Sequence, residues 1–117
     1  MAKFRFQDLQ IWKEAMGIAD QLLDIADQLE EKKLFRFAEQ LRGAAMSISN
    51  NIAEGSGSTY KNDFKQFLNI ARRSIFEDAN ILILLNKRSL LGDDRLNPLL
   101  ERLDVLSRQI TSFQRSL

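Results

Sequence analysis

The chain has 117 residues, of which 44% are hydrophobic and 28% charged, with one proline, five glycines and a formal net charge of +1. This composition fits one folded domain over residues 1–117 and excludes intrinsic disorder. It contains no cysteine and no histidine, which excludes disulfides, Cys/His zinc sites and thiol or imidazole catalysis, and with them most familiar catalysis. We expect no metal and no cofactor.

The first predicted helix covers residues 8–30. Its apolar positions spread over an arc of roughly 200°, about twice the stripe of ~100° that a helix packed on one core shows. One bundle core cannot cover that arc, so we expect the surplus to form a contact between copies of the chain. The candidate interface residues are Ile11, Ala15, Ile18, Leu22 and Ile25.

The second predicted helix covers residues 34–54 and ends before Gly55, a residue typical of a helix C-terminus. A carboxylate in a last helical turn opposes the helix dipole, so Glu54 should be paired. Beside the apolar stripe we predict a structural polar seam made of Arg42, Ser47, Asn51 and Glu54. A catalytic role for Glu54 as a base lacks a matched titratable partner nearby.

The third and fourth predicted helices cover residues 60–88 and 94–115. The apolar run Ile81 to Leu85 in the third helix predicts an end buried on several sides, but it is far shorter than the roughly 20 residues of a membrane span. No period-two pattern typical of strands occurs. We therefore predict an all-α, antiparallel, up-and-down four-helix bundle, cytoplasmic and without membrane contact.

Charge is unevenly distributed along the chain. Residues 8–31 hold seven acids and one base, whereas residues 32–73 hold eight bases and three acids. Lys61, Lys65 and Arg72 fall within about 40° on the helical wheel and predict a basic ridge. Solvated or ion-paired charge is one interpretation and phosphate binding is the other. The candidate nucleic-acid-binding residues are Lys61, Lys65, Arg72, Arg73, Arg108 and Arg115.

Three motifs together resemble a known family. They are Leu9-x-x-Trp12-x-x-Ala15, Gln40-Leu41-Arg42-x-Ala44-Ala45-x-Ser47-Ile48-x-x-Asn51-Ile52-Ala53-Glu54-Gly55, and Phe64-x-x-Phe67-Leu68-x-Ile70-Ala71-x-x-Ser74-x-x-Glu77. On these residues the chain resembles the four-helix bundle proteins encoded in intervening sequences of bacterial 23S ribosomal RNA genes. It is also similar to the accessory variability determinant proteins of diversity-generating retroelements.

The resemblance implies a non-enzymatic oligomeric accessory protein, assembled as a cyclic homopentamer, whose partner is RNA, DNA or a nucleic-acid enzyme such as a reverse transcriptase. A structural scaffold that binds only protein is the alternative. The chain departs from the family in having Asp78 where leucine is favoured. Because Asp78 lies on the apolar stripe, we expect its carboxylate to pair with an arginine or to lie where that part of the stripe is hydrated.

Overall fold

The computed structural model describes residues 1–117 and consists of four α-helices and no strands. The helices are α1 (Gln10–Glu31), α2 (Phe35–Ser56), α3 (Lys61–Lys87) and α4 (Asp93–Ser116), and a single 3-10 turn (Arg5–Asp8) precedes them. Every bound lies within two residues of its predicted position. The all-α prediction is confirmed.

The loops after α1 and α3 are closed in the same way. Lys33 and Ser89 adopt positive φ angles of 62° and 61°. In each case the next amide, of Leu34 or Leu90, donates to a carbonyl five residues earlier at 2.9 Å. Such a left-handed residue ends a helix sharply, so adjacent helices are joined by short loops.

The end of α2 differs from the prediction. The helix continues through Gly55 to Ser56, and no glycine in the chain has a positive φ. A Cβ on Gly55 would lie 2.7 Å from atoms of both Phe64 and Phe67. Gly55 is therefore needed for the close approach of α3 to the α2 backbone and not as a helix terminator.

Packing between the helices determines which surfaces remain outside. The helix α2 packs against α1 and α3, and α4 packs against α3 and α1, whereas α1 and α3 do not contact each other. One cluster of 27 buried apolar residues fills the space between them. The outward faces of α1 and α3 consequently lie at opposite corners of the molecule.

The interface predicted on α1 was wrong. Ile11, Ala15, Ile18, Leu22 and Ile25 are all at most 5% exposed within a single chain. Their wide apolar arc has a simple cause: α1 packs against both α2 and α4, and the two neighbours together cover more of its circumference than one would. These side chains are core residues and are not available to a second copy.

The apolar run in α3 also differs from expectation, because it is only partly buried. Ile81, Leu82 and Leu85 belong to the core, but Ile83 and Leu84 are 42% and 43% exposed. Phe76, two turns earlier on the same helix, is 59% exposed. The helix α3 therefore carries apolar side chains on its outer face as well as its inner one.

Candidate nucleic-acid interface

The predicted ridge on α3 is present as a row of cations without ion partners. Lys61 and Arg72 are exposed and Lys65 is half-buried. At about 1.5 Å of rise per residue the row spans roughly 16 Å of helix. None of the three takes part in the six ion pairs of the structure, so no carboxylate neutralises their charge. The Arg72 guanidinium lies 5.3 Å from the Phe76 ring centroid, in cation–π geometry.

Packing of α4 on α3 adds a further cation to this surface. The Gln114 side-chain amide donates to the Lys65 carbonyl at 2.7 Å, and the rings of Phe64 and Phe113 meet edge-on with centroids 5.5 Å apart. The last turn of α4 thus lies beside the first turns of α3. Arg115, exposed and without an ion pair, belongs to the same end of the molecule.

Sequence reasoning missed one cation, Arg5 in the 3-10 turn. Its guanidinium donates to the Ser56 carbonyl at 3.4 Å and lies 5.3 Å from the Phe64 ring centroid, in cation–π geometry. The N-terminal segment that contains Arg5 is short and has no periodic pattern, so the sequence contains no signal that Arg5 lies beside Phe64. We call Arg5, Lys61, Lys65, Arg72 and Arg115 together the basic surface.

The remaining two predicted cations are arranged differently. Arg108 is bound to Asp104 of its own helix at 2.9 Å, so part of its charge is compensated. Arg73 lies about 100° around the helix from Arg72. It lines one depression with Arg72 and Phe76 and a second with Ser47 and Glu77. Arg73 therefore borders the basic surface at Arg72, and neither Arg73 nor Arg108 is counted in it.

Most of the unpaired negative charge of α1 lies at the opposite corner, although Glu54 and Asp63 are exposed at the same end as the basic surface. Asp20, Asp24 and Glu31 are exposed on α1 and form no ion pair. Since α1 does not contact α3, these carboxylates do not neutralise the row of Lys61, Lys65 and Arg72 on α3. The net charge of +1 therefore conceals two regions of opposite sign.

One residue of the predicted polar seam, Ser47, joins α2 to α3, and a second, Asn51, bonds to Ser47 within α2. The hydroxyls of Ser47 and Ser74 are 2.7 Å apart, and the Asn51 amide donates to the Ser47 carbonyl at 2.7 Å and to its hydroxyl at 3.0 Å. Ser74 also donates to the Ile70 carbonyl. This network satisfies the hydroxyls of Ser47 and Ser74 and the Asn51 amide N–H groups at the contact of α2 with α3.

Arg42, the cation of the predicted seam, joins α2 to α1 and not to α3. Its guanidinium contacts Asp27 at 2.8 Å, Glu30 at 3.2 Å and Glu39 at 3.0 Å. Hydrogen bonds to these three carboxylates raise the pKa of Arg42 above its usual value. The cluster is a surface ion network that links the two helices.

The pairing predicted for Glu54 was wrong. Glu54 is exposed and its carboxylate has neither a hydrogen bond nor an ion partner. The physical reason is that α2 runs two residues further and its Glu54 side chain extends into solvent, where water screens the dipole. The seam is accordingly reduced to Ser47 and Asn51 with Ser74.

Asp78 reaches no arginine. It is 0% exposed, and neither carboxylate oxygen has a hydrogen-bond partner. Desolvation by burial, with a smaller contribution from the charge of Glu77, raises the pKa of Asp78 to about 8. The carboxyl is therefore held protonated inside the core at neutral pH.

Two further observations concern the whole chain. No group of three or more acidic, cysteine or histidine side chains is arranged to hold a metal ion. None of the four helices combines the length and the apolar character that crossing a bilayer requires.

Comparison with protein families places this chain. The family model described as 23S rRNA-intervening sequence protein matches residues 7–112, which is most of the chain and includes all three motifs quoted above. No curated protein matches the chain.

Proposed function

The chain belongs to the 23S rRNA-intervening sequence protein family, and we propose that it is a non-enzymatic cytoplasmic accessory protein that binds nucleic acid through the basic surface. One observation carries this proposal: five cations without ion partners, contributed by the 3-10 turn, the first half of α3 and the last turn of α4, lie toward one end of a molecule whose net charge is only +1, alongside the exposed acids Glu54 and Asp63. Convergence of unpaired cations is the electrostatic footprint of phosphate binding.

The chemistry of the surface favours the nucleic-acid backbone over the bases. Lysine and arginine side chains in a row neutralise phosphates and release counterions, which gives affinity that decreases with salt. The surface has no set of asparagine, glutamine or arginine side chains arranged to read base edges. We therefore expect weak binding at physiological salt with little dependence on sequence.

The proposal that the protein is not an enzyme has its own support. The one carboxyl with a strongly raised pKa, Asp78, is 0% exposed in the core. A general acid or base must come within hydrogen-bond reach of its substrate, and this group is fully buried without any hydrogen-bond partner.

The finer architecture is part of the proposal. We infer an antiparallel bundle, because contacts move backwards along one helix as they move forwards along the next: Ser47 of α2 meets Ser74 of α3, whereas Gly55 approaches Phe64. Gln114 in the last turns of α4 contacts Lys65 near the start of α3, so these two helices also run in opposite directions.

The outer face of α3 would serve two purposes: its first half binds nucleic acid, and its second half contacts another subunit. Phe76 and Ile83 continue the ridge within about 40° of Arg72, so its first half is basic and its second half apolar. A second copy is the occupant we propose, presenting its α1 corner with the half-exposed Met16 and the unpaired acids there. Unpaired Lys87 and Arg88 at the end of α3 complement those acids in charge.

Such a contact joins two different faces at opposite corners of the molecule. Head-to-tail contacts of this kind close into rings when the rotation permits. We propose a cyclic homo-oligomer, of five subunits by resemblance to the family. A ring would repeat the basic surface around one rim and multiply the weak phosphate contacts of each subunit.

A scaffold without a nucleic-acid role is the second candidate. It is favoured by the exposed Phe76, Ile83 and Leu84, since apolar side chains grouped on one helix are typical of protein contacts. On this alternative the basic surface serves solubility alone.

A mobility-shift experiment separates the two candidates. The parent protein is titrated into single-stranded and duplex RNA and DNA at about 50 mM salt, where contacts to several phosphates are strongest. Retardation of at least one of these probes is the expected result. If none of the four is retarded, the nucleic-acid proposal fails and the scaffold remains.

A further inference from the structure

A small cavity opens beside the basic surface, where the loop before α3 meets the 3-10 turn. It measures about 190 Å³ and is lined by Arg5, Thr59, Tyr60, Lys61 and Phe64, among others. Pockets that enclose a drug-sized ligand usually measure about 300–1,000 Å³. The cavity is therefore large enough for one end of a ligand and too small for a whole nucleotide.

The walls of this cavity have the chemistry of an anion site. Arg5 is positioned by its contact with the Phe64 ring and its hydrogen bond to the Ser56 carbonyl. Lys61 enters from α3, and neither cation has an ion partner. The Thr59 hydroxyl makes no hydrogen bond and is free to donate. Ser58 and Leu117 complete the lining, and the Ser58 hydroxyl donates at 3.1 Å to Asp63, a carboxylate just outside the lining.

Two free cations match a terminal phosphate better than an internal one. A phosphomonoester carries about −1.5 to −2 charge at neutral pH and three acceptor oxygens, whereas an internal phosphodiester carries a single charge. A terminal phosphate is attached to the strand on one side only, so the strand leaves the cavity in one direction. An internal phosphate would need an exit for the strand on both sides. Tyr60 at the mouth is 70% exposed, and an aromatic ring in that position can stack on the terminal base.

Lys61 connects the cavity to the ridge. It lines the cavity and is also the first residue of the row that continues through Lys65 to Arg72. A strand whose terminal phosphate occupied the cavity would run on along α3, with its next phosphates over that row.

We propose that this cavity binds the terminal phosphomonoester of a nucleic-acid strand, with Arg5 and Lys61 as the charge partners, Thr59 as a donor and Tyr60 as a stacking platform. The proposal rests on the proposed function, because it assumes that the adjoining ridge binds the rest of the strand.

The test compares strand ends of one sequence by fluorescence anisotropy. Oligouridylates of about twelve nucleotides, within the usual site sizes of ~4–16, carry a 5′-phosphate, a 3′-phosphate or no terminal phosphate, with the dye at the other end. At about 50 mM salt we expect one phosphorylated strand to bind roughly three- to tenfold more tightly than its unphosphorylated form, the increment of one or two partly exposed charge contacts.

Variants assign that preference to the cavity. Arg5→Gln and Lys61→Gln should each abolish it, and the second variant keeps the test valid if the first does not fold. Arg72→Gln should weaken all the strands equally and retain the preference. Lys13→Gln, which removes an exposed charge on α1, should change nothing and is the matched control.

The other possible results of these measurements would each contradict a specific part of the proposal. Equal affinity for phosphorylated and unphosphorylated strands would overturn this inference and leave the proposed function standing, whereas no binding of any strand would overturn the proposed function itself. A preference that survives both cavity variants would show that the site lies elsewhere. If micromolar inorganic phosphate removed the preference, the ligand would be the free anion and not a strand end.

Discussion

Replacing Asp78 by asparagine should remove a pH dependence of stability that this one buried carboxyl creates. In the folded chain burial raises the pKa of Asp78 from 3.8 to about 8. Between those values the unfolded chain is ionised at this position while the folded chain retains the proton. The unfolded state therefore binds fewer protons, and the free energy of unfolding falls as the pH rises through that window.

The magnitude follows from the displacement of the pKa of Asp78 to about 8. One pKa unit corresponds to about 1.4 kcal/mol, so at pH 7 ionisation favours the unfolded state by ~4 kcal/mol, and at pH 4 by only ~0.5 kcal/mol. Asparagine has nearly the same shape and does not titrate. Between pH 4 and pH 7 the free energy of unfolding should therefore fall by about 3–4 kcal/mol more in the parent protein than in Asp78→Asn.

Urea denaturation at several pH values between 4 and 8, at one protein concentration, measures this difference. Contributions of all other titrating groups are common to the two proteins and cancel. Glu77→Gln is the matched control, because Glu77 is the exposed neighbour of Asp78 and its removal should keep most of the pH dependence. If the parent and Asp78→Asn curves are parallel across this range, Asp78 has water or a partner in solution and the reasoning is refuted.

Three further variants test individual contacts. Glu54→Ala should change the free energy of unfolding by less than about 0.5 kcal/mol, as expected for an exposed side chain without partners; a larger loss in urea denaturation would restore a structural role for Glu54. Arg42→Ala should lower Tm, because three carboxylates then face one another, and the loss should shrink in 1 M salt; a loss independent of salt would mean that packing and not charge is involved. Phe76→Glu combined with Ile83→Glu should reduce the mass in light scattering to that of one chain, whereas Met46→Glu on α2 should not; a parent protein that is already monomeric would contradict the proposed assembly.

Local patterns were sufficient to predict the helices. Each apolar stripe has helical period, and breaks such as the glycine at 92 and the charged residues at 30–33 separate the stripes. The cation row of Lys61, Lys65 and Arg72 follows from the same geometry, because residues of one helix keep their angular relation whatever surrounds them. Predictions that depend on a single helix therefore needed no tertiary information.

Predictions that depended on neighbouring helices were less accurate. The arc of α1 predicts a contact with a second copy, because the helical wheel of one helix does not show how many neighbours that helix has. Gly55 predicts a helix end, although its role is set by Phe64 and Phe67 of another helix. Arg5 joins the basic surface only because Phe64 lies beneath it, and no pattern in residues 1–8 indicates that contact.

The salt dependence of nucleic-acid affinity tests the central claim most directly. The logarithm of the association constant is measured against the logarithm of salt concentration for the parent protein and for Lys61→Ala/Lys65→Ala/Arg72→Ala. Each phosphate contact contributes about −0.7 to −0.9 to that slope, so the parent should show a steep decline and the variant a slope shallower by roughly 2–3 units. The oligomeric mass should be the same for both proteins. Equal slopes in the two proteins, with binding intact, would contradict the claim that this ridge of α3 holds the nucleic-acid backbone.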